Sequence, residues 1–279
     1  MDERSFIAVA LKFSDLRPEV DPLSGSVSRD ARTSGFSLAD AAALEWALRL
    51  GGEWQLPVTA VTAGPAEAEA VLREAAAFGV TRLARADTDR DAPSDAVARA
   101  LAPVLVGAAV VCCGDYSADR GSGSVPGFLA HELGSAQALG LTGLDPGEPG
   151  SLTAQRRLDG GRRERLRVTA PAVISVEPSA ARLRRAPLTG LVTAREASIE
   201  VTAAAATPPH ATRVRVLRTT PYRPRPKVLP APPDSTPRGR LLALTGALTE
   251  RTPPRVVKAG PDEAADELLG YLKDKGYLT

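Results

Sequence analysis

Between residues 6 and 114, four short apolar runs alternate with stretches whose apolar residues recur at helical spacing. "FIAVALK" (6–12), "VTAVTAG" (58–64), "RLARA" (82–86) and "AAVVCCG" (108–114) have the length of strands and are bounded by polar residues or glycine. The intervening stretches read as helices. Ser37 is placed to cap "SLADAAALEWALRLGG", where Leu38, Ala41, Leu44, Ala47 and Leu48 share a face and Gly51 terminates. "PAEAEAVLREAAAFG" puts Pro65 and Glu67 at an N-terminus and Gly79 beyond the end. Ser94 can cap "SDAVARALAPVL", and "VPGFLAHELGSAQALG" (125–140) supplies the next helix. Such alternation dictates an α/β fold: an open, mostly parallel sheet with helices on both faces.

Past Leu141 the rhythm changes. "SLTAQRRLDGGRRERLRV" reads as a β-hairpin turned at Asp159-Gly160-Gly161, because glycine tolerates the positive φ of such turns, and an apolar strand follows from Ala172 to Val176. Of the 24 prolines, 12 lie between Pro208 and Pro261, a composition that favours an extended arm. The chain ends in "PDEAADELLGYLKDKGYL", a short helix with acids first and lysines last, as the helix dipole prefers. The organisation expected is therefore an α/β domain over 1–200, a Pro-rich arm over 201–261 and an anchoring helix over 262–279.

A chain of 279 residues buries a full core without metal or disulfide staples, and a net charge of +2 gives no reason to expect nucleic acid as a partner. Cys112 and Cys113 are adjacent in an apolar strand and read as reduced core residues, which fits a cytoplasmic protein. The longest apolar run, from Ala100, contains Pro103 and Gly107 and falls short of the roughly 20 residues of a membrane helix, so no membrane insertion is expected.

In an open parallel sheet, ligands bind where strands end and helices begin. The loop from Gly114 to Ser124, "GDYSADRGSGS", lies at that edge before a helix N-terminus, where unpaired N–H groups attract anions. Small residues at Gly121, Ser122, Gly123 and Ser124 let a phosphate approach the backbone, although neither GxGxxG nor GxxxxGK[ST] is present and a plain connection has the same composition. Asp115 and Asp119 are candidates for a metal or a ribose, and equally for bonding their own loop. No catalytic set is expected: His131 sits in a helix and His210 in the arm, without a supporting motif. Arginine clusters at 156–165 and 182–185 come with few aromatics, which favours a solvated face or a polar protein interface over single-strand readout.

Taken in order, "VALK" (9–12), "ALEWALRLG" (43–51), "VTAVTAGPAEAEAVLREAAAFGVTRL" (58–83), the "GDYSADRGSGSV" loop and "RRLDGGRRERLRVTAPAVISVEP" (156–178) resemble the β subunit of electron transfer flavoproteins. The likeness spans roughly residues 5–200; the composition and the spelling of the loop resemble an actinobacterial branch associated with mycofactocin gene clusters. The resemblance implies a Rossmann-like, adenine-nucleotide-binding fold without catalysis of its own. Its partners would be an α subunit holding most of an FAD, and a dehydrogenase that delivers electrons. It also implies a structural AMP on Ala10, on Ser37, Leu38, Ala39 and Asp40, on Ala63, and on Gly114, Asp119, Ser122, Gly123, Ser124 and Val125. Backbone N–H groups of Ser122 to Val125 would hold the phosphate, and Leu188 matches the leucine presented to the dehydrogenase. Three places depart from the family pattern: Ala39 in "SLAD" where an aromatic is usual, Arg120 and Gly121 in an acidic run, and Thr193, Ala194 and Arg195 in place of lysines. The rival reading is a stand-alone adenine-nucleotide sensor. An adenylating enzyme is a third, but it lacks an SGGxDS-like loop after the first strand.

Overall fold

The structure is a computed structural model that describes residues 5–28, 30–203, 217, 218, 220, 236–245, 256–274, 277 and 278. Chain contacts divide it into two units, Met1–Tyr222 and Arg223–Thr279.

The first unit is built on a sheet of nine strands. They are β1 (Phe6–Ala10), β2 (Val58–Gly64), β3 (Arg82–Asp87), β4 (Ala108–Gly114), β5 (Ala136–Pro146), β6 (Ser151–Arg157), β7 (Arg163–Thr169), β8 (Ala172–Val176) and β9 (Glu200–Ala203). Their spatial order is β7-β6-β5-β8-β4-β1-β2-β3-β9. Every pairing from β5 across to β9 is parallel, and only β6 pairs antiparallel with its two neighbours. The fold class is thus the mostly parallel α/β sheet expected from the alternation.

Helices α1 (Leu38–Trp54) and α2 (Glu69–Ala76) close one face, burying Leu44, Leu50, Trp54, Val71 and Leu72 against Ile7, Val9 and Ala60. Helices α3 (Ser94–Leu105) and α4 (Val125–Glu132) close the other, with Leu101, Leu105 and Leu129 on Ala8, Val61 and Val111. Because successive strand side chains point to opposite faces, Cys112 joins the first core and Cys113 the second; both are free thiols.

Three local expectations are corrected. The stretch 125–140 is not one helix: α4 stops at Glu132, Gly134 takes φ +58°, and the chain leaves as β5, paired parallel with β8. Gly51 does not end α1, which runs three residues further to Trp54 and is capped by Gln55 at φ +55°. Gly51 is small because β2 packs on it: a Cβ there would sit 2.5 Å from Val58 Cγ2. Ser94 is the first residue of α3 and the cap position is Pro93, with no side-chain cap bond.

Ser37 does cap α1, in a reciprocal box: its hydroxyl accepts from Asp40 N at 3.1 Å, and Asp40 Oδ2 accepts from Ser37 N at 3.2 Å. The Asp159–Gly161 turn also forms as expected, with Gly160 at φ +68° and Gly161 at φ +75°. After it α5 (Leu188–Thr193) precedes β9. In the second unit, α6 (Pro237–Thr245) and α7 (Pro261–Asp274) are helical, and Leu268 and Leu269 of α7 are exposed. His210 and most of the Pro-rich arm lie outside the described residues.

Candidate functional site

At the carboxyl edge of the sheet, Ala10 and Gly114 end β1 and β4, and Ala63 is the penultimate residue of β2. A cleft opens there, floored by Val97 and Leu101 of α3 and walled by the 115–124 loop and the first turn of α4. Of the residues singled out from the sequence, Ala10, Asp40, Ala63, Gly114, Ser122, Gly123 and Val125 line it. Ala39 lies directly behind: a Cβ on Gly114 would come within 3.0 Å of the Ala39 Cβ and 2.8 Å of Asp40 Oδ1, so strand and helix meet at backbone distance. Ser37 is spent on its cap, Leu38 is 78% exposed, and Ser124 immediately precedes α4. Asp119 is ion-paired with Lys12.

The loop is shaped by its glycines. A Cβ on Gly123 would overlap the Asp115 carbonyl, and the loop folds on itself through Ser117 N to Ser122 O (2.9 Å) and Gly121 N to Ser117 O (2.8 Å). Two straps draw it across the cleft: the Lys12–Asp119 pair, and Arg120, which donates to Ala92 O at 3.0 Å, Arg90 O at 3.3 Å and Asp91 Oδ1 at 3.0 Å. Arg90 in turn lies over the Phe13 ring at 5.1 Å.

Two carboxyl groups at or next to the cleft are electrostatically unusual. Asp40 is buried, and desolvation pushes its carboxyl up to about 6 despite bonds from Ser37 and the Lys12 backbone. Asp115 is also raised, first by desolvation and then by the nearby Glu177. Asp115 Oδ1 and Ser117 Oγ are buried without a hydrogen-bond partner among the described residues. Orphaned polar atoms of this kind are costly unless a ligand or water meets them. No backbone carbonyl among the described loop and turn residues accepts from the N–H groups of Ser122 to Val125. Hydroxyl and phosphate groups are the complement of that donor and acceptor set. The cleft measures about 100 Å³, however, less than the roughly 300 Å³ of a site enclosing a whole small molecule. A nucleotide therefore requires the straps to yield. A larger cavity of about 610 Å³ opens at the opposite, amino-terminal edge, lined chiefly by small apolar residues around Ala102, Pro103 and Ala108. We favour the carboxyl edge because the polar groups converge there.

Tyr116, Ser117 and Arg120, inside the loop expected at this edge but not named individually as site residues, also line the cleft, as do Lys12 and Arg90, which the sequence did not mark as site residues. Lys12 carried a signal, being a cation at the carboxyl end of a strand; Arg90 carried none, since only the crossing of loops brings it there. Leu188 begins α5 at the surface, 77% exposed beside Leu191 and Val192 at 50% and 62%. Among the described residues, no three His, Cys, Asp or Glu side chains gather to hold a metal, and no helix is long and apolar enough to cross a membrane.

Fold and cleft together define a doubly wound α/β protein with a cleft at its strand carboxyl ends, the edge where ligands bind in such sheets. The chain belongs to the electron transfer flavoprotein domain family, whose model matches residues 25–208. It is 33% identical over 150 residues to the "Electron transfer flavoprotein subunit beta" of Mycobacterium tuberculosis (strain ATCC 25618 / H37Rv), covering 52% of this chain and 55% of that one. It is 30% identical over 160 residues to the protein of the same description from Chromohalobacter salexigens, covering 57% and 58%. It is 31% identical over 180 residues to "Protein FixA" of Rhizobium meliloti, covering 61% of each chain. The chain thus spans little more than half the length of these relatives.

Proposed function

We propose that the chain is the β-type subunit of a heterodimeric electron transfer flavoprotein, with AMP held as a structural element in the carboxyl-edge cleft. The observation that carries this reading is the extent of the family match: residues 25–208 include both the cleft loop and the exposed apolar helix α5. An FAD held mainly by an α-type subunit supplies the redox chemistry when bound. This chain's own residues bind and orient. The N–H groups of Ser122 to Val125 hold the AMP phosphate, Asp115 and Ser117 meet hydroxyls, and Ala10, Ala63 and Gly114 leave room for the nucleoside. Leu188, with Leu191 and Val192, is the apolar face offered to a donor dehydrogenase, an anchor suited to a transient complex.

Co-expression with an α-type subunit tests the reading. The expected product is a yellow heterodimer that releases FAD and AMP on denaturation, identified by mass spectrometry. A colourless chain that ignores every α-type partner while remaining folded would reject it. Recovery of exchangeable ATP from the isolated chain would instead favour the sensor.

A further inference from the structure

Helix α5 has six residues and no buried side chain, so neither its own hydrogen bonds nor a core contact of its side chains explains its placement. Its side-chain anchors lie outside the helix. In α1, Glu45 is buried to 5% side-chain exposure, where an unpaired carboxylate is strongly disfavoured. Four N–H groups meet it: Arg49 Nε at 2.8 Å and Arg184 Nη2 at 3.0 Å on Oε1, and Arg184 Nε at 2.9 Å with the Arg184 backbone N at 3.1 Å on Oε2. One turn of the same helix adds a second hold. Trp46 Nε1 donates to Ala180 O at 3.2 Å, and the Arg49 guanidinium lies over its ring at 5.0 Å. The segment leading to α5 is thus fixed at two points, Ala180 and Arg184. Beyond Leu188, Gly190 sits so close on α2's end that a Cβ would overlap the Ala77 carbonyl oxygen. Arg73 Nη1 then holds Ala197 O at 3.2 Å.

We propose that Glu45 is a positioning residue for electron delivery: by gripping Arg184 through both backbone and guanidinium, it fixes the base from which α5 presents Leu188, Leu191 and Val192 as one rigid face. The proposal rests on the reading of this chain as an electron-relay subunit. A fork of charge-assisted bonds to a buried carboxylate is directional, so it fixes an angle as well as a distance. A face held at one angle docks without first being ordered, which lowers the entropic cost of each encounter.

Glu45→Gln keeps the shape and removes the charge; Arg184→Gln removes the same grip from the half-exposed side, should the first variant fold poorly. Both are compared with Leu50→Ala, which weakens α1 in the core while leaving the bonds of Glu45 to Arg184 and of Trp46 to Ala180 in place. Hydrogen exchange is measured on the full chain in its heterodimer. The expected result for Glu45→Gln and Arg184→Gln is exchange about tenfold faster at the α5 amides, Leu191 N–H among them, with β1 and β4 amides unchanged. Leu50→Ala should not produce this pattern. With a dehydrogenase that reduces the wild-type heterodimer, KM should rise about tenfold while kcat and flavin content hold. Unchanged α5 exchange, or acceleration that Leu50→Ala reproduces at matched global stability, would overturn the proposal. A wild-type chain that forms no flavin heterodimer would reject the electron-relay reading, while the exchange comparison on that chain still decides whether Glu45 positions α5.

Discussion

Adjacent glycines in α1 have opposite roles. Gly51 faces β2 with no room for a methyl group, whereas Gly52 faces open space within the same helix. Gly51→Ala should therefore destabilise by about 1–3 kcal/mol through overpacking. Gly52→Ala should stabilise by about 0.5–1 kcal/mol by reducing the unfolded chain's freedom. Urea unfolding of the two variants reads both signs. Asp40 gives a pH signature. Its folded value of about 6 exceeds the ordinary carboxylate value, chiefly through desolvation, so the folded chain holds this proton more tightly than the unfolded chain does. The contribution is fully present below the unfolded value near 4 and is lost as pH rises through about 6. It amounts to at most about 3 kcal/mol. Asp40→Asn should flatten this fall, measured as the urea midpoint against pH. Glu45 acts in the opposite sense. Desolvation opposes its ionisation but bonds from Arg184 and Arg49 outweigh it, so its value is lowered and its stabilisation fades as pH falls through that lowered value.

At the scale of elements, the 115–124 loop is a strap drawn over a cleft too small for a nucleotide in its present shape. Asp119→Asn removes the Lys12 tie while leaving Arg120 in place. Nucleotide association should accelerate several-fold, read by stopped-flow fluorescence of a labelled AMP, and the melting temperature without nucleotide should scarcely move, because exposed pairs contribute little. The same scale explains what local pattern conveyed. The cap at Ser37 and the Asp159-Gly160-Gly161 turn were legible because hydrogen bonding and positive φ are decided within a few residues. "SAQALG" after α4 was not. Its local composition suits a helix, but the open edge of β8 supplies a ladder, and Gly134 lets the chain turn into it.

For the whole molecule, no residue of the apolar face on α5 lines the cleft, so the proposed docking and the proposed nucleotide binding should be separable by mutation. Leu188→Ala should raise KM for the donor dehydrogenase about tenfold, with AMP content and heterodimer yield intact, a loss typical of an interface anchor. Steady-state flavin reduction and mass spectrometry of the released nucleotide check the two halves.

The fold class, and the placing of a glycine-rich loop at the carboxyl edge of the sheet, were determined by the sequence alone. Strand and helix periods, and the partial charge at a helix N-terminus, are local physics. The straps that narrow the cleft, the arrival of Arg90 and Arg120 at its rim, and the grip of Glu45 on Arg184 were decided only by tertiary structure. Those contacts join residues tens to more than a hundred positions apart, and no local pattern specifies which loops will cross.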